Sequence, residues 1–448
     1  MKKYDEYKDS GVAWIGEVPK HWKVSRIKFL ISHSSAGVWG EDEKNDENDI
    51  VCFRAADFDY IHGCLRLDKM IIRNIQPEQL RGRRLHHGDL LIEKSGGGDS
   101  APVGRIVRYN YNDKATCSNF VHFIRVNKFN DGNYLFYYFY AMYANNVNIL
   151  FFNQTTGIQN LKIGEYIGQM IYTPILNEQT AIATYLDTHC AKIDNLISIQ
   201  QKRIALLQEL KQSVITHAVT KGLNPNVEMK QSGVEWIGDV PKHWEVCKLK
   251  HYSQVFGRIG FRGYNQTDLV NEGEGAITLS PSNMQNGILN YDKCSYLSWK
   301  KYYESPEIMI YNDDVLFVKT GSTYGKISYV ADLPMEATIN PQIVVFKNIK
   351  GNNKYLYYLL SNDIVQMQVS LTVGGSTIPT LSQESILNYI VPLAPKVEQA
   401  AIASYLDHKC ATIDTSISNA QHQIELLQEY KQSLITEVVT GKRKVTDN

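Results

Sequence analysis

Residues 178–222 and 398–442 are two copies of one helical stretch, and a chain that carries both must find each a partner. The first reads EQTAIATYLDTHCAKIDNLISIQQKRIALLQELKQSVITHAVTKG. The second reads EQAAIASYLDHKCATIDTSISNAQHQIELLQEYKQSLITEVVTGK, and the two align without a gap at an offset of 220 residues. Apolar residues three and four apart form a stripe on each helix. Heptad a positions are Ile197, Ile204, Lys211 and Ala218, then Ile417, Ile424, Lys431 and Val438. The d positions are Ile193, Gln200, Leu207 and Val214, then Ile413, Ala420, Leu427 and Leu434. Neither helix buries its stripe alone, so the pair predicts an intramolecular coiled coil. Its expected core is Ile193, Ile197, Ile204, Leu207 and Val214 on one helix, and Ile413, Ile417, Ile424, Leu427 and Leu434 on the other. The polar positions Gln200, Lys211 and Lys431 weaken a simple seam. The lysines are expected at its solvent edge or against carboxylates of a docked partner.

A second duplication precedes each helix. YKDSGVAWIGEVPKHWKV at 7–24 returns as MKQSGVEWIGDVPKHWEV at 229–246, an offset of 222. The whole chain is therefore two halves, each running short motif, variable body, long helix. Trp14, Ile15, Val18, Pro19 and Trp22 predict a compact plug, repeated by Trp236, Ile237, Val240, Pro241 and Trp244. Lys20-His21 and Lys242-His243 either touch phosphate or cap a surface turn. The boundaries expected from this order are a first domain over 1–176, a helix over 177–222, a second domain over 223–394, a helix over 395–442 and a tail over 443–448. Gly222 followed by Pro225 is an orthodox helix stop.

The 448 residues exceed what one core usually serves. Seven cysteines with no C-x-x-C pair predict free thiols in a reducing cytoplasm, not a disulfide framework or a zinc site. No apolar run is long enough for a membrane span, and MKKYDEYKDSG has no apolar region of a signal peptide. A formal net charge of zero excludes coating nucleic acid by bulk charge, though not a local basic surface.

Within the first body a polar loop at 40–49 precedes short apolar runs at Ile50–Phe53, Asp89–Ile92, Gly104–Tyr109 and Phe120–Val126, a strand-and-loop pattern. Tyr134–Leu150 is aromatic and helix-length, matched by Tyr355–Val369. DLLIEKSG at 89–96 lines up with DVLFVKTG at 314–321, and TTGIQNL at 155–161 with GSTIPTL at 375–381. The frames agree while the residues between them differ, which suggests two related recognition tasks with different targets.

Catalytic motifs are incomplete. GSTYGKIS at 321–328 has three residues between its glycines and Ile327 after Lys326, where a phosphate-cradling loop has four and a hydroxyl residue. Asp89, Glu93 and Lys94 resemble a metal-nuclease set, but Glu93 becomes Val318 in the second copy. Asn340-Pro-Gln-Ile343 lacks the second proline and the aromatic of an adenine methyltransferase. DNA contact fits better. The first body carries Arg81, Arg83, Arg84, Lys94 and Arg105, with Gln159 and Asn160 beside a glycine loop. The second carries Arg258, Arg262, Lys319 and Lys326, with Tyr324. Arg and Lys neutralise phosphates, Arg, Asn and Gln read base edges, and glycine loops admit close approach of backbone.

The doubled SGVxWIGxVPKHW motif, the two divergent bodies and the doubled EQxAIAxYLD…LLQExKQSxIT…VTxK helix resemble the specificity subunit of type I restriction-modification systems across essentially the whole chain. The resemblance implies an α+β fold: two globular α/β target recognition domains separated by two long antiparallel helices, an intramolecular coiled coil with a pseudo-two-fold internal repeat. It implies recognition of a bipartite, asymmetric site in double-stranded DNA, with the helices fixing the distance between half-sites. It implies partners, two modification (methyltransferase) subunits and restriction (motor and nuclease) subunits. S-adenosylmethionine, ATP and Mg²⁺ would be held by those partners, with no cofactor or active site in this chain. Competing readings are a DNA-independent coiled-coil adaptor and a fused nuclease or methyltransferase.

Overall fold

The computed structural model describes residues 2–98, 100–155, 157–285, 287–373 and 379–445. Part of the expected glycine loop at 375–381 and the last three residues of the tail lie outside them. The chain forms two compact units, residues 1–202 with 420–448, and residues 203–419. The first long helix runs Leu176–Lys221 and the second Lys396–Val439. Each unit is therefore built from one body, one short motif and a segment of both helices.

In the first unit an antiparallel sheet has the order Ile106–Arg108, Leu90–Glu93, Val121–Val126, Ile31–Ala36. A second sheet has the order Ala115–Cys117, Asp49–Phe53, Ile72–Asn74, Glu41–Asp42, its first pair parallel. Side chains alternate across a strand. Leu91, Val107 and Phe123 accordingly face the second sheet with Phe53. Leu90, Ile92 and Ile124 face the other way, against Leu135 and Phe139 of helix Gly132–Ala144.

The second unit repeats this topology with Ile327–Tyr329, Val315–Val318, Ile343–Lys347 and Gln254–Gly257, and again a parallel pair, Gly275–Leu279 with Ala337–Ile339. Neither aromatic segment is one helix: the first is α-helix Gly132–Ala144 followed by a 3-10 helix Val147–Phe151, and the second is two α-helices, Asn353–Ser361 and Asp363–Val373. Asn362 breaks the second: its side-chain oxygen accepts from Ile364 N–H at 2.8 Å and Val365 N–H at 3.2 Å, acting as a cap in mid-segment.

The two repeated motifs are halves of one latch. In the first unit Trp22 Nε1 donates to Glu178 Oε1 at 3.2 Å, Tyr4 OH donates to the same oxygen at 2.7 Å, and His21 Nε2 lies 3.1 Å from Glu178 Oε2. Gln179 ties the helix start to the body through Asp131 N–H, Asn130 Oδ1 and Pro174 O. In the second unit Trp244 and His243 meet Glu398 at 3.0 and 2.6 Å, and Gln399 holds Asn352 N–H, Tyr252 OH and Ala394 O. The plug residues Ile15, Val18 and Trp22 are buried, as are Ile237, Val240 and Trp244. Trp236 departs from that expectation and is exposed. Trp14 packs on Tyr138, which the second unit replaces with Leu359. Lys20 and Lys242 pair with Glu6 and Glu228, and the histidines face the latch carboxylates, so these dipeptides serve the fold.

Inside each unit the helix segments run antiparallel. In the first, Trp22 touches Glu178 at the start of one helix and packs beside Gly441 past the end of the other, while Asp194 meets Lys431. A side chain on Gly441 (φ +75°) would fall 2.2 Å from Pro19 Cδ, so only glycine fits there. In the second unit Trp244 stands likewise between Glu398 and Gly222, and Lys211 meets Asp414. Ile193, Ile197, Ile413 and Leu434 are buried; Ile204, Leu207, Val214, Ile417, Ile424 and Leu427 are half-buried.

The structure corrects the expectation for the two seam lysines. Lys431 Nζ binds both oxygens of Asp194 at 2.6 and 2.8 Å and the Ile61 carbonyl at 2.8 Å. Lys211 Nζ binds both oxygens of Asp414 at 2.7 Å. An a-position lysine reaches across the antiparallel seam to the partner helix's aspartate, so neither waits for a docked carboxylate. Among the described residues no helix is long and apolar enough to cross a membrane.

Candidate nucleic-acid interface

The strand Leu90–Glu93 delivers Lys94 to the edge of the first body. The residues that looked like a metal set are spent on structure. Asp89 caps the turn at His86 N–H (2.7 Å) and receives both arms of Arg125 at 2.8 and 2.7 Å. The second body repeats this with Asp314, which accepts from Tyr311 N–H at 2.8 Å and pairs with Lys347. Burial raises the Asp314 carboxyl above its ordinary value, with Lys347 opposing. Glu93 is clamped by Arg105 at 2.8 and 3.2 Å, and Arg105 also stacks on Tyr60. The second body replaces that pair together, with Val318 and Lys326. This joint change explains why Glu93 has no counterpart: it neutralises Arg105.

Lys94 stands in a polar patch that sequence reasoning missed. His122 projects from Val121–Val126, its Nε2 2.6 Å from Ser34 Oγ. Burial first, then Lys94 and His33 nearby, push its pKa down to about 4, so it stays neutral at physiological pH. On the other face of that sheet, beside Phe123, His33 Nε2 lies 2.7 Å from Gly82 O in the loop of Arg81, Arg83 and Arg84. Arg81 and Arg84 are exposed; Arg83 is half-buried and donates to Gln79 O at 3.3 Å. Asn160, also exposed, accepts from Ser95 Oγ at 2.7 Å. The structure thus places Asn160 beside the Lys94 strand on the His122 face of the sheet, and Arg81 and Arg84 in the loop that His33 meets from the other face. It turns Gln159 inward, where its carbonyl accepts Val103 N–H at 3.1 Å and supports the turn at Gly97. Arg105 is likewise occupied by Glu93.

In the second body Lys319 occupies the position of Lys94: Leu381 N–H donates to Lys319 O at 2.8 Å, as Leu161 N–H does to Lys94 O. Lys319 and Lys326 are half-buried, with no ion pair among the described residues. Arg258 runs against the expectation of a DNA contact. It is 5% exposed, and its guanidinium donates to Ile339 O, Thr338 Oγ1 and Arg262 O at 3.2, 3.1 and 3.4 Å. Burial lowers its pKa. Arg262 pairs with Glu307 at 3.2 Å, and Tyr324 packs against the core.

These placements separate basic groups left open from arginines spent on structure. Arg81→Ala and Lys94→Ala should each lower the slope of log K against log salt by about 1, whatever the DNA sequence. Arg105→Ala should lower stability and leave the slope alone. A binding titration across salt checks this; an unchanged slope for Arg81→Ala and Lys94→Ala would remove the face from consideration.

A family model described as the type I restriction modification DNA specificity domain matches this chain twice, over residues 19–209 and 241–426. The MjaVIII specificity subunit of Methanocaldococcus jannaschii is 25% identical over 333 residues, covering 73% of this chain and 74% of that protein. The putative MjaX specificity subunit of the same organism is 23% identical over 441 residues and 96% of each chain. Among solved structures, a chain from a study of complex assembly and conformational transition of the type I R-M system has a TM-score of 0.71 at 15% identity, over 94% of this chain and 98% of that one. The HsdS subunit from Thermoanaerobacter tengcongensis has a TM-score of 0.50 at 15% identity, over 95% and 98%.

Proposed function

This chain belongs to the type I restriction-modification DNA specificity family, and from that premise we propose that it recognises a bipartite, asymmetric DNA site, one half-site per body. The observation that carries this reading is the pair of bodies with one topology and unlike surfaces. A lysine leaves each central strand at the same place, Lys94 and Lys319, and the side chains around it differ. Exposed basic groups position a duplex through its phosphates, while unlike neighbours select unlike bases. Two different reading surfaces in one chain give a site whose halves differ.

The chain supplies recognition and assembly. Two modification subunits with S-adenosylmethionine, and restriction subunits with ATP and Mg²⁺, supply the chemistry in the cytoplasm. The carboxylates that resembled a nuclease set support this division, since Asp89 and Glu93 are each neutralised by an arginine.

Filter binding by the complex reconstituted with its modification subunits tests the proposal. Affinity for the preferred site should exceed that for scrambled DNA by about 10³-fold or more at physiological salt. Equal affinity for every sequence would favour a DNA-independent adaptor.

A further inference from the structure

Each body holds out one turn tip whose side chain is exposed. In the first, Val121 N–H donates to Ser118 O at 3.0 Å, closing a β-turn around Asn119-Phe120. In the second, Ile343 N–H donates to Asn340 O at 3.2 Å around Pro341-Gln342. Both tips are bolted to the lysine strand. Phe120 O accepts from Lys94 N–H at 2.9 Å and Ser95 N–H at 3.0 Å; Gln342 O accepts from Lys319 N–H at 2.8 Å and Thr320 N–H at 3.3 Å. The two residues are therefore structural equivalents, fixed beside equivalent lysines.

Their side chains differ in kind. Phe120 is 52% exposed. A single exposed phenylalanine is ordinary on a protein surface, but this one stands on a rigid turn next to Lys94, and its counterpart is an exposed glutamine. A position that served packing would be buried in both bodies. Gln342 is moreover oriented: Asn340 Nδ2 donates to Gln342 Oε1 at 3.1 Å, and Gln342 N–H donates to Asn340 Oδ1 at 3.0 Å. A side chain on Gly321 would approach Gln342 Nε2 to 3.3 Å, so the glycine leaves room for the amide.

We infer that Phe120 and Gln342 are specificity-determining residues at one shared position of the two bodies, an inference that rests on the recognition reading above. Gln342 pairs with the major-groove edge of adenine, Nε2 donating to N7 and Oε1 accepting from the N6 amino group. Its Oε1 has a second lone pair for this beside the bond from Asn340. Phe120 covers the 5-methyl group of thymine, an apolar contact that carries sequence information without a hydrogen bond.

The test uses the modification complex assembled with the full chain and a DNA library randomised across both half-sites. Phe120→Ala should lose the preference at one base pair of one half-site, and Gln342→Leu at one base pair of the other, each by about ten-fold or more, with every other position unchanged. Uracil in place of the read thymine should weaken the wild-type complex and not Phe120→Ala. The 7-deaza analogue of the read adenine should weaken wild type and not Gln342→Leu. The exchanges Phe120→Gln and Gln342→Phe keep bulk at the tip and replace any variant that fails to assemble. Variants that keep every wild-type preference, or lose affinity uniformly over all sequences, overturn the inference. A wild-type complex with no preferred sequence overturns the recognition reading as well.

Discussion

Lys431→Ala lowers the unfolding free energy of the chain by about 3–5 kcal/mol, whereas Lys211→Ala lowers it by about 1 kcal/mol or less. The two lysines occupy the same heptad position and make the same bidentate bond to an aspartate. Their surroundings set them apart. Lys431 and Asp194 have side chains 9% and 12% exposed, and the ammonium also satisfies the Ile61 carbonyl. Removing it strands a buried carboxylate and a backbone acceptor together. Lys211 and Asp414 are 25% and 53% exposed, so water takes over when the pair is broken. Urea denaturation of the two variants measures the difference. The double replacement Lys431→Met with Asp194→Leu should recover most of the loss, since two apolar groups of similar volume leave no buried charge and only the Ile61 carbonyl loses its donor. Equal losses at Lys431 and Lys211, or no recovery in the double variant, would contradict the assignment.

The antiparallel seam shows where sequence reading stops. The apolar stripe established that both helices need a partner, and a repeat of that length established that the partner is internal. Direction was left open by the chain path, and direction decides what a polar core position meets. Once the segments run antiparallel, Lys431 falls opposite Asp194 and Lys211 opposite Asp414. A lysine that reads as a seam defect becomes the donor of a cross-helix pair. The latch was hidden for a similar reason. The Trp-containing motif and the Glu-Gln pair are 156 and 157 residues apart, counted from Trp22 to Glu178 and Gln179, and only the fold puts the indole on the carboxylate.

The recognition face was legible in part. Arg81, Arg84 and Lys94 were singled out from charge beside glycine; Arg81 and Arg84 are exposed and Lys94 is half-buried with no ion pair among the described residues. Arg258 carried the same signal and points inward. Its location after strand Gln254–Gly257 matches Gly37 in the first body, where the carbonyl of Cys117 accepts from Val38 N–H at 2.8 Å. In the second body the equivalent carbonyl, Ile339 O, accepts from the Arg258 guanidinium instead. Charge and composition are identical for an arginine that reaches out and one that replaces a backbone donor. Phe120 and Gln342 gave no signal of either kind, because an exposed aromatic and an amide acquire meaning only when two backbones are superposed.

Exchange of one body shows whether each body reads its own half-site. Residues 25–176 are replaced by the corresponding segment of another member of the family. The latch residues Trp22 and Glu178 and both long helices stay in place, so the new body keeps the contacts that seat the old one. The altered chain is expressed in the host with its own modification subunits, and methylated adenines are mapped across the genome. The expected result is a new methylated motif in which one half-site is wholly changed, while the other half and the number of base pairs between them are retained. A motif in which both halves change, or in which neither does, would contradict it.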